Sequence, residues 1–296
     1  MRIVSGMRPT GKLHLGHYHG VLRNWLKLQN DNECFFFVAD WHALTTEYQK
    51  PEIVRQSTRD VLLDWLSAGL DPEKAVIFVQ SEVKEHAELH LLLSMITPLG
   101  WLERVPSYKE MQQELSNKDL STYGFLGYPL LQTADVALYN GAKVPVGQDQ
   151  VPHIELSREI VRRFNYLYGE TLVEPQPLLT ESPKLLGMDR RKMSKSYDNC
   201  LYLSDTPEQI EKKVKGAITD PARLRRDDPG NPDVCLIFDY HKLHSTAAET
   251  EKVNANCRNA TLGCVDDKKA MAATINAFLD PIRGRRAEYE KDPDLI

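Results

Sequence analysis

Two histidines flank a glycine in the run His14-Leu15-Gly16-His17, and their type and spacing are those of an anion site. A short apolar strand, Arg2–Ser5, leads through Gly6-Met7-Arg8-Pro9-Thr10-Gly11-Lys12-Leu13 into this run, which opens the next helix. The first turn of a helix presents unpaired N–H groups to an anion such as phosphate. Imidazole N–H groups at that point add donors for phosphate oxygens. A second cluster is the basic loop Arg190-Arg191-Lys192-Met193-Ser194-Lys195-Ser196, bounded by Gly187 and Asp198. Two lysines three apart, with a small hydroxyl on either side of the second, suit a mobile clamp on a polyphosphate. Lysine serves there as a point charge and stabilises charge that builds on a leaving group. Alone, such a loop is equally a solvated surface.

Other chemistries fit these residues less well. Gly6 with Gly11-Lys12 has the glycine and lysine spacing of a P-loop ATPase, and Phe35–Asp40 resembles an apolar strand ending in a Mg²⁺-binding acid. A P-loop needs Ser or Thr after the lysine, and that residue is Leu13; Pro9 also removes one backbone N–H. His14, His17 and His19 lack a fourth ligand nearby for zinc.

These clusters have to be positioned by a fold. Strand-like Arg2–Ser5, Cys34–Asp40 and Ala75–Gln80 alternate with helix-like Gly16–Gln29 and Val54–Ala68. That order predicts a Rossmann-like α/β fold, a parallel sheet with helices on its faces and the site at the carboxyl ends of the strands. The stretch Glu88–Asn140 reads as mainly helical, broken at Pro98, Pro106 and Pro129. Val144–Gly147 is extended and Ile154–Phe164 helical; Thr206–Ile218, Thr246–Asn256 and Lys268–Leu279 make the last third helical. The expected domains are 1–203, Rossmann-like with a helical insertion at about 88–140, and 204–296, an α-helical domain.

Composition bounds the rest. The chain has 296 residues, 42% hydrophobic and 27% charged. That length leaves room for two domains that share a cleft. The longest apolar runs, such as Cys34–Ala39, are too short to cross a bilayer, and with no signal-peptide pattern the expected location is cytoplasmic. Five cysteines, an odd number, argue for reduced thiols or a metal site over a disulfide framework. A net charge of −5 argues mildly against nucleic acid, although Arg223-Leu224-Arg225-Arg226 and Arg283-Gly284-Arg285-Arg286 supply local basic patches.

HLGH followed far downstream by KMSKS resembles the paired signatures of class I aminoacyl-tRNA synthetases. Ser5–Gly11, Ala39–Thr45, Leu131–Asp135 and Val144–Gln150 are similar to the tryptophan branch of that family. The tyrosine branch is the nearest competitor; it shows a glycine-rich GGxDQ-type sequence where this chain has VPVGQDQ. The resemblance covers Met1 to about Cys264.

It implies ATP-dependent activation of L-tryptophan, with Mg²⁺, and transfer to tRNA(Trp) by a homodimer. It also implies that His14 and His17 contact ATP phosphates, that Lys192 and Lys195 stabilise departing pyrophosphate, and that Gly16 lets adenosine lie against the helix start. Gly147 and Asp149 match ribose contacts, and Met193, with Ser194 beside it, the adenine side. For the amino acid, Asp135 matches the acceptor of the indole N–H. Tyr128 and Gln150 match residues near the ammonium, His42 one near the carboxylate, and Gln132 a position held by Met in some relatives. Cys235, Cys257 and Cys264 resemble three positions of a four-cysteine [4Fe–4S] motif, with Asp267 where the fourth cysteine falls.

Overall fold

The computed structural model describes residues 1–105, 120–179 and 185–292. Pro106, one of the expected helix breaks, lies outside them. In chain order the elements are β1 (Arg2–Met7), α1 (Leu15–His17), a π-helical turn (Tyr18–Leu22), α2 (Arg23–Leu28), β2 (Glu33–Val38), α3 (Asp40–Glu47), α4 (Pro51–Ala68) and β3 (Ala75–Val79). There follow α5 (Glu85–Ser94), α6 (Leu99–Glu103), α7 (Tyr123–Leu126), α8 (Tyr128–Ala137), β4 (Lys143–Val146), α9 (Val151–Tyr168) and β5 (Gln176–Leu179). Four helices complete it: α10 (Pro207–Lys215), α11 (Leu236–His244), α12 (Ala247–Arg258) and α13 (Cys264–Lys291).

By internal contacts these form two compact units. The first, Met1–Gly11, Arg23–Leu62 and Leu70–Ser182, holds all five strands in the order β3-β2-β1-β4-β5, every neighbouring pair parallel. The expected parallel sheet is therefore present. The order reverses between β1 and β4, and the crevice beyond the carboxyl ends of those two strands is where such sheets bind ligands. The interior strand β2 carries the continuous apolar run Cys34–Val38, as a strand covered on both faces does. Gly6 sits opposite Phe37 in the β1–β2 register, and a Cβ there would come within 2.4 Å of the Phe37 ring. On one side Leu93, Leu102, Leu130, Ala134, Leu156 and Ile160 bind α5, α6, α8 and α9 into a core. Val136, Val144, Val146 and Ile154 fasten α8 and α9 to β4.

Strand β5 was absent from the sequence reading. Pro177 interrupts its pattern, and as an edge strand it tolerates a residue without an N–H. Asp40, read as the end of a strand, is instead the first residue of α3.

The second unit comprises Lys12–Leu22, Leu63–Gly69 and Pro183–Ile296. Capping boxes begin two of its helices, Thr206 with Gln209 for α10 and Thr246 with Glu249 for α12. Helices α10 and α11 pack on the long α13. The HLGH segment is tied into this unit as an antiparallel partner of Leu201–Leu203: the Leu15 N–H donates to the Leu201 carbonyl (2.9 Å) and the Leu203 N–H to the Leu13 carbonyl (3.0 Å). Asp64, fully buried, accepts the Leu13 N–H at 2.8 Å and the Arg286 guanidinium of α13.

Removing one member of a buried ion pair strands the other in a medium that solvates it poorly. Asp64→Ala and Arg286→Ala are each expected to lower unfolding stability by about 3–5 kcal/mol. In urea titrations the double variant should lose less than the sum of the two, because the groups interact directly.

Candidate active site

In the second unit the two signatures meet. His14 is the N-cap of α1, and its ring lies 3.8 Å, centroid to centroid, from that of His17. The His14 backbone N–H donates to His17 Nδ1 at 3.3 Å. That bond places the proton of a neutral His17 on Nε2, as an outward donor. His14 Nδ1 is buried and, among the described residues, has no hydrogen-bond partner. Burial, with Lys195 nearby, pushes the His14 pKa down to about 4. Burial, His14 and Lys195 together hold His17 well below the ordinary imidazole value. Both rings are thus neutral donors at physiological pH, suited to hydrogen-bonding phosphate oxygens.

Gly16 is fixed by sterics, since a Cβ would stand 2.9 Å from the His14 ring and 3.7 Å from Met193 Cβ. Met193, Ser194 and Lys195 therefore border the same turn. Lys192 is exposed and Lys195 half-buried in the short 3₁₀ turn Lys195–Tyr197. The loop is shaped by Asn199, a residue the sequence reading missed. Its Oδ1 accepts the Ser194 N–H (2.9 Å), while its Nδ2 donates to Asp189 (2.7 Å) and the Lys192 carbonyl (3.1 Å). Arg191 pairs with Asp189 at 2.6 Å and covers the Tyr197 ring at 4.1 Å. The Leu13 N–H, bound to Asp64, is not available to phosphate, which removes a donor that a P-loop would need.

In the first unit, Tyr128, Gln132 and Asp135 stand at i, i+4 and i+7 of α8 and share one face. Asp135 is 1% exposed, yet three side chains donate to it. His42 Nε2 reaches Oδ2, and Gln80 Nε2 and His86 Nδ1 reach Oδ1, all at 2.7 Å. Desolvation opposes its charge, but the two histidines outweigh it and hold the carboxyl below the usual range. His42 is thus beside Asp135 itself. The Tyr128 hydroxyl is 3.4 Å from His153. Gly147 ends β4 at the switch point, and the turn Gln148–Gln150 follows it; the Asp149 side chain is outside the description. Gln80, His86 and Tyr139 escaped the sequence reading, although Gln80 follows directly on β3, where a strand-end rule would have found it.

The family model described as tRNA synthetases class I (W and Y) matches residues 1–280. The chain belongs to that family. It is 54% identical to the Tryptophan–tRNA ligase of Thermotoga maritima, over 100% of this chain and 91% of that one. Tryptophanyl-tRNA synthetase from Campylobacter jejuni, solved with ADP and tryptophan, superposes with a TM-score of 0.90 at 32% identity, over 99% and 91% of the two chains. A tyrosyl-tRNA synthetase from Archaeoglobus fulgidus complexed with L-tyrosine is similar too, with a TM-score of 0.73 at 25% identity, over 96% and 90%.

The iron–sulfur expectation of that resemblance finds no support. Cys235, Cys257, Cys264 and Asp267 do line one small pocket, together with Asp220 and Arg223. The Arg223 guanidinium, however, lies 3.7 Å from the Cys264 sulfur and 4.0 Å from that of Cys257, placing a cation where cluster iron would bind. Asp267 is engaged by His241 Nε2 at 3.0 Å, and burial pushes the Cys235 and Cys257 thiols up, toward the protonated form. Among the described residues no group of three or more such side chains is placed to hold a metal ion. As they stand, these residues do not fit a [4Fe–4S] cluster.

Neutral, buried His14 has a consequence for folding. Between about pH 6.5 and 4 the unfolded chain binds a proton there that the folded chain refuses. Stability therefore falls as pH drops through that window, by on the order of 3 kcal/mol from this residue. His14→Gln should flatten the decline in denaturation midpoints measured from pH 7 to 4.

Proposed function

We propose that this chain is a tryptophan–tRNA ligase, activating L-tryptophan with ATP and transferring it to tRNA(Trp). The observation that carries the reading is Asp135, an ionised carboxylate buried on the α8 face beside Tyr128 and Gln132. Such an acceptor suits an indole N–H, and a side chain without a donor leaves one of its acceptor positions unfilled, at a cost of about 1–3 kcal/mol. Identity of 54% to a Tryptophan–tRNA ligase favours tryptophan over tyrosine.

A carboxylate oxygen of tryptophan attacks the α-phosphorus of ATP, and the bond to the bridging oxygen breaks, releasing pyrophosphate. No protein nucleophile is needed; the chain supplies position and charge. Neutral His14 and His17 donate to phosphate oxygens, and Lys192 and Lys195 meet the charge that develops on pyrophosphate. Bound together with ATP, Mg²⁺ would neutralise part of the phosphate charge that Lys192 and Lys195 also meet. Gly147 and Asp149 keep the ribose role, Met193 and Ser194 the adenine side, and Tyr128 and Gln150 the ammonium of the amino acid.

The described residues contain no helix long and apolar enough to cross a membrane, in keeping with a cytoplasmic enzyme. Leu91, Leu92, Met95 and Leu99 of α5 and α6 are each more than half exposed, an apolar face suited to a second copy of the chain. The helical residues from 204 on, with Arg225 and Arg226 exposed, are the side offered to tRNA.

Amino-acid-dependent exchange of labelled pyrophosphate into ATP tests the reading. Exchange with tryptophan and none with tyrosine is expected. Exchange with tyrosine alone would overturn the specificity, and exchange with neither would overturn the activity. Lys195→Ala should cost about 10²–10³ in kcat with tryptophan.

A further inference from the structure

The Asp135 carboxylate has about four lone-pair positions, two on each oxygen. Gln80 and His86 occupy both positions on Oδ1, each at 2.7 Å, while among the described residues Oδ2 receives His42 alone. One acceptor position therefore remains, and it belongs to Oδ2.

The donors on Oδ1 are themselves fixed. Gln80 has its amide orientation set by the Trp41 N–H, which donates to Gln80 Oε1 at 3.2 Å and turns Nε2 toward Asp135. His86 is completely buried, and its far nitrogen, Nε2, lies 2.7 Å from the Tyr139 hydroxyl. Tyr139 is in turn stacked on Phe35, with centroids 5.1 Å apart, and tilted against Phe78. Burial and the Asp135 charge both push the Tyr139 pKa up, so the hydroxyl keeps its proton and donates to Nε2. With Nε2 accepting from Tyr139, His86 carries its proton on Nδ1, the nitrogen that faces Asp135.

We propose that His86 and Tyr139, with Gln80, are positioning residues for amino-acid specificity: they saturate Asp135 Oδ1 and leave one acceptor on Oδ2, aimed at the indole N–H. The inference rests on the reading of Asp135 as the indole acceptor. It adds that the selectivity lies in which oxygen is left open, and that residues out of reach of the substrate decide this. The titratable groups that face Asp135 are His42 from α3, His86 and His90 from α5, and Tyr139 just beyond α8.

The test compares kcat/KM in pyrophosphate exchange for tryptophan and for its benzothienyl analogue, which has sulfur in place of the indole N–H. Intact enzyme is used throughout, with unfolding curves recorded for each variant. His86→Leu should shrink the preference for tryptophan by about ten- to a hundredfold, the worth of one hydrogen bond to a charged group. The loss should appear in the KM for tryptophan and leave the KM for ATP unchanged. His86→Asn, whose amide N–H replaces the Nδ1 donor, should recover most of the preference, an outcome that space-filling alone would not give. Tyr139→Phe, nearly isosteric and so not a threat to folding, should weaken the preference in the same direction by releasing the imidazole tautomer.

Asp135→Ala, which removes both acceptor oxygens, separates the two levels of the argument. If it leaves the preference intact, Asp135 is not the indole acceptor, and both the reading and the inference fail. If Asp135→Ala collapses the preference while His86→Leu and Tyr139→Phe both keep it at the wild-type value, the inference alone is overturned.

Discussion

The buried carboxylate of Asp64 is the constraint on which the second unit depends. The catalytic signature has little structure of its own: α1 is three residues long and runs straight into a π-helical turn. A single helical turn does not persist alone, because nucleation fixes several dihedrals for one hydrogen bond. Its position is imposed by Asp64, which takes the Leu13 N–H, and by pairing with Leu201–Leu203. A charge so deeply buried must be matched, and Arg286 on α13 matches it. The place of His14, near the start of the chain, is thus tied to the last helix of the fold.

The two halves of the chemistry handle burial in opposite ways. Asp135 keeps its charge, because donors from three other segments replace the water it loses. His14 and His17 lose theirs, because burial and the Lys195 charge both disfavour an imidazolium. Each outcome suits the partner proposed for it. An N–H donor wants an anionic acceptor, whereas a phosphate whose charge shifts during reaction is met by preorganised neutral donors backed by lysines.

How much of this was legible in the sequence follows from the range of the interactions. Strands β1 to β3 are apolar runs of sheet length, and the capped starts of α10 and α12 are local, so both could be read directly. β5 was hidden by Pro177, which only an edge position explains. Helix α11 was missed as well, a nine-residue helix between a 3₁₀ turn and a capping box. HLGH and KMSKS were recognisable as strings, but their meeting rests on contacts such as Gly16 against Met193 that no spacing rule encodes. Asn199 and His86 act through neighbours 5 to 53 positions away and lie on no period. The cysteine pattern misled in the other direction: the spacing brought the thiols to one cavity, and Arg223 decided what that cavity is.

Discrimination between tryptophan and tyrosine poses a harder physical problem than acceptance. An ionised carboxylate can also accept a phenol O–H, so Asp135 selects the indole N–H by where it stands rather than by its charge alone. What differs is where the donor stands relative to the amino acid's fixed end. An acceptor selects by position only if it is rigid and offers one direction, and a freely rotating carboxylate offers several. The surroundings of Asp135 meet both conditions, with its oxygens gripped from α3, the end of β3 and α5, and α8 itself packed into two apolar clusters. On this view selectivity resides in the helix packing that orients the α8 face as much as in the residue that touches the substrate.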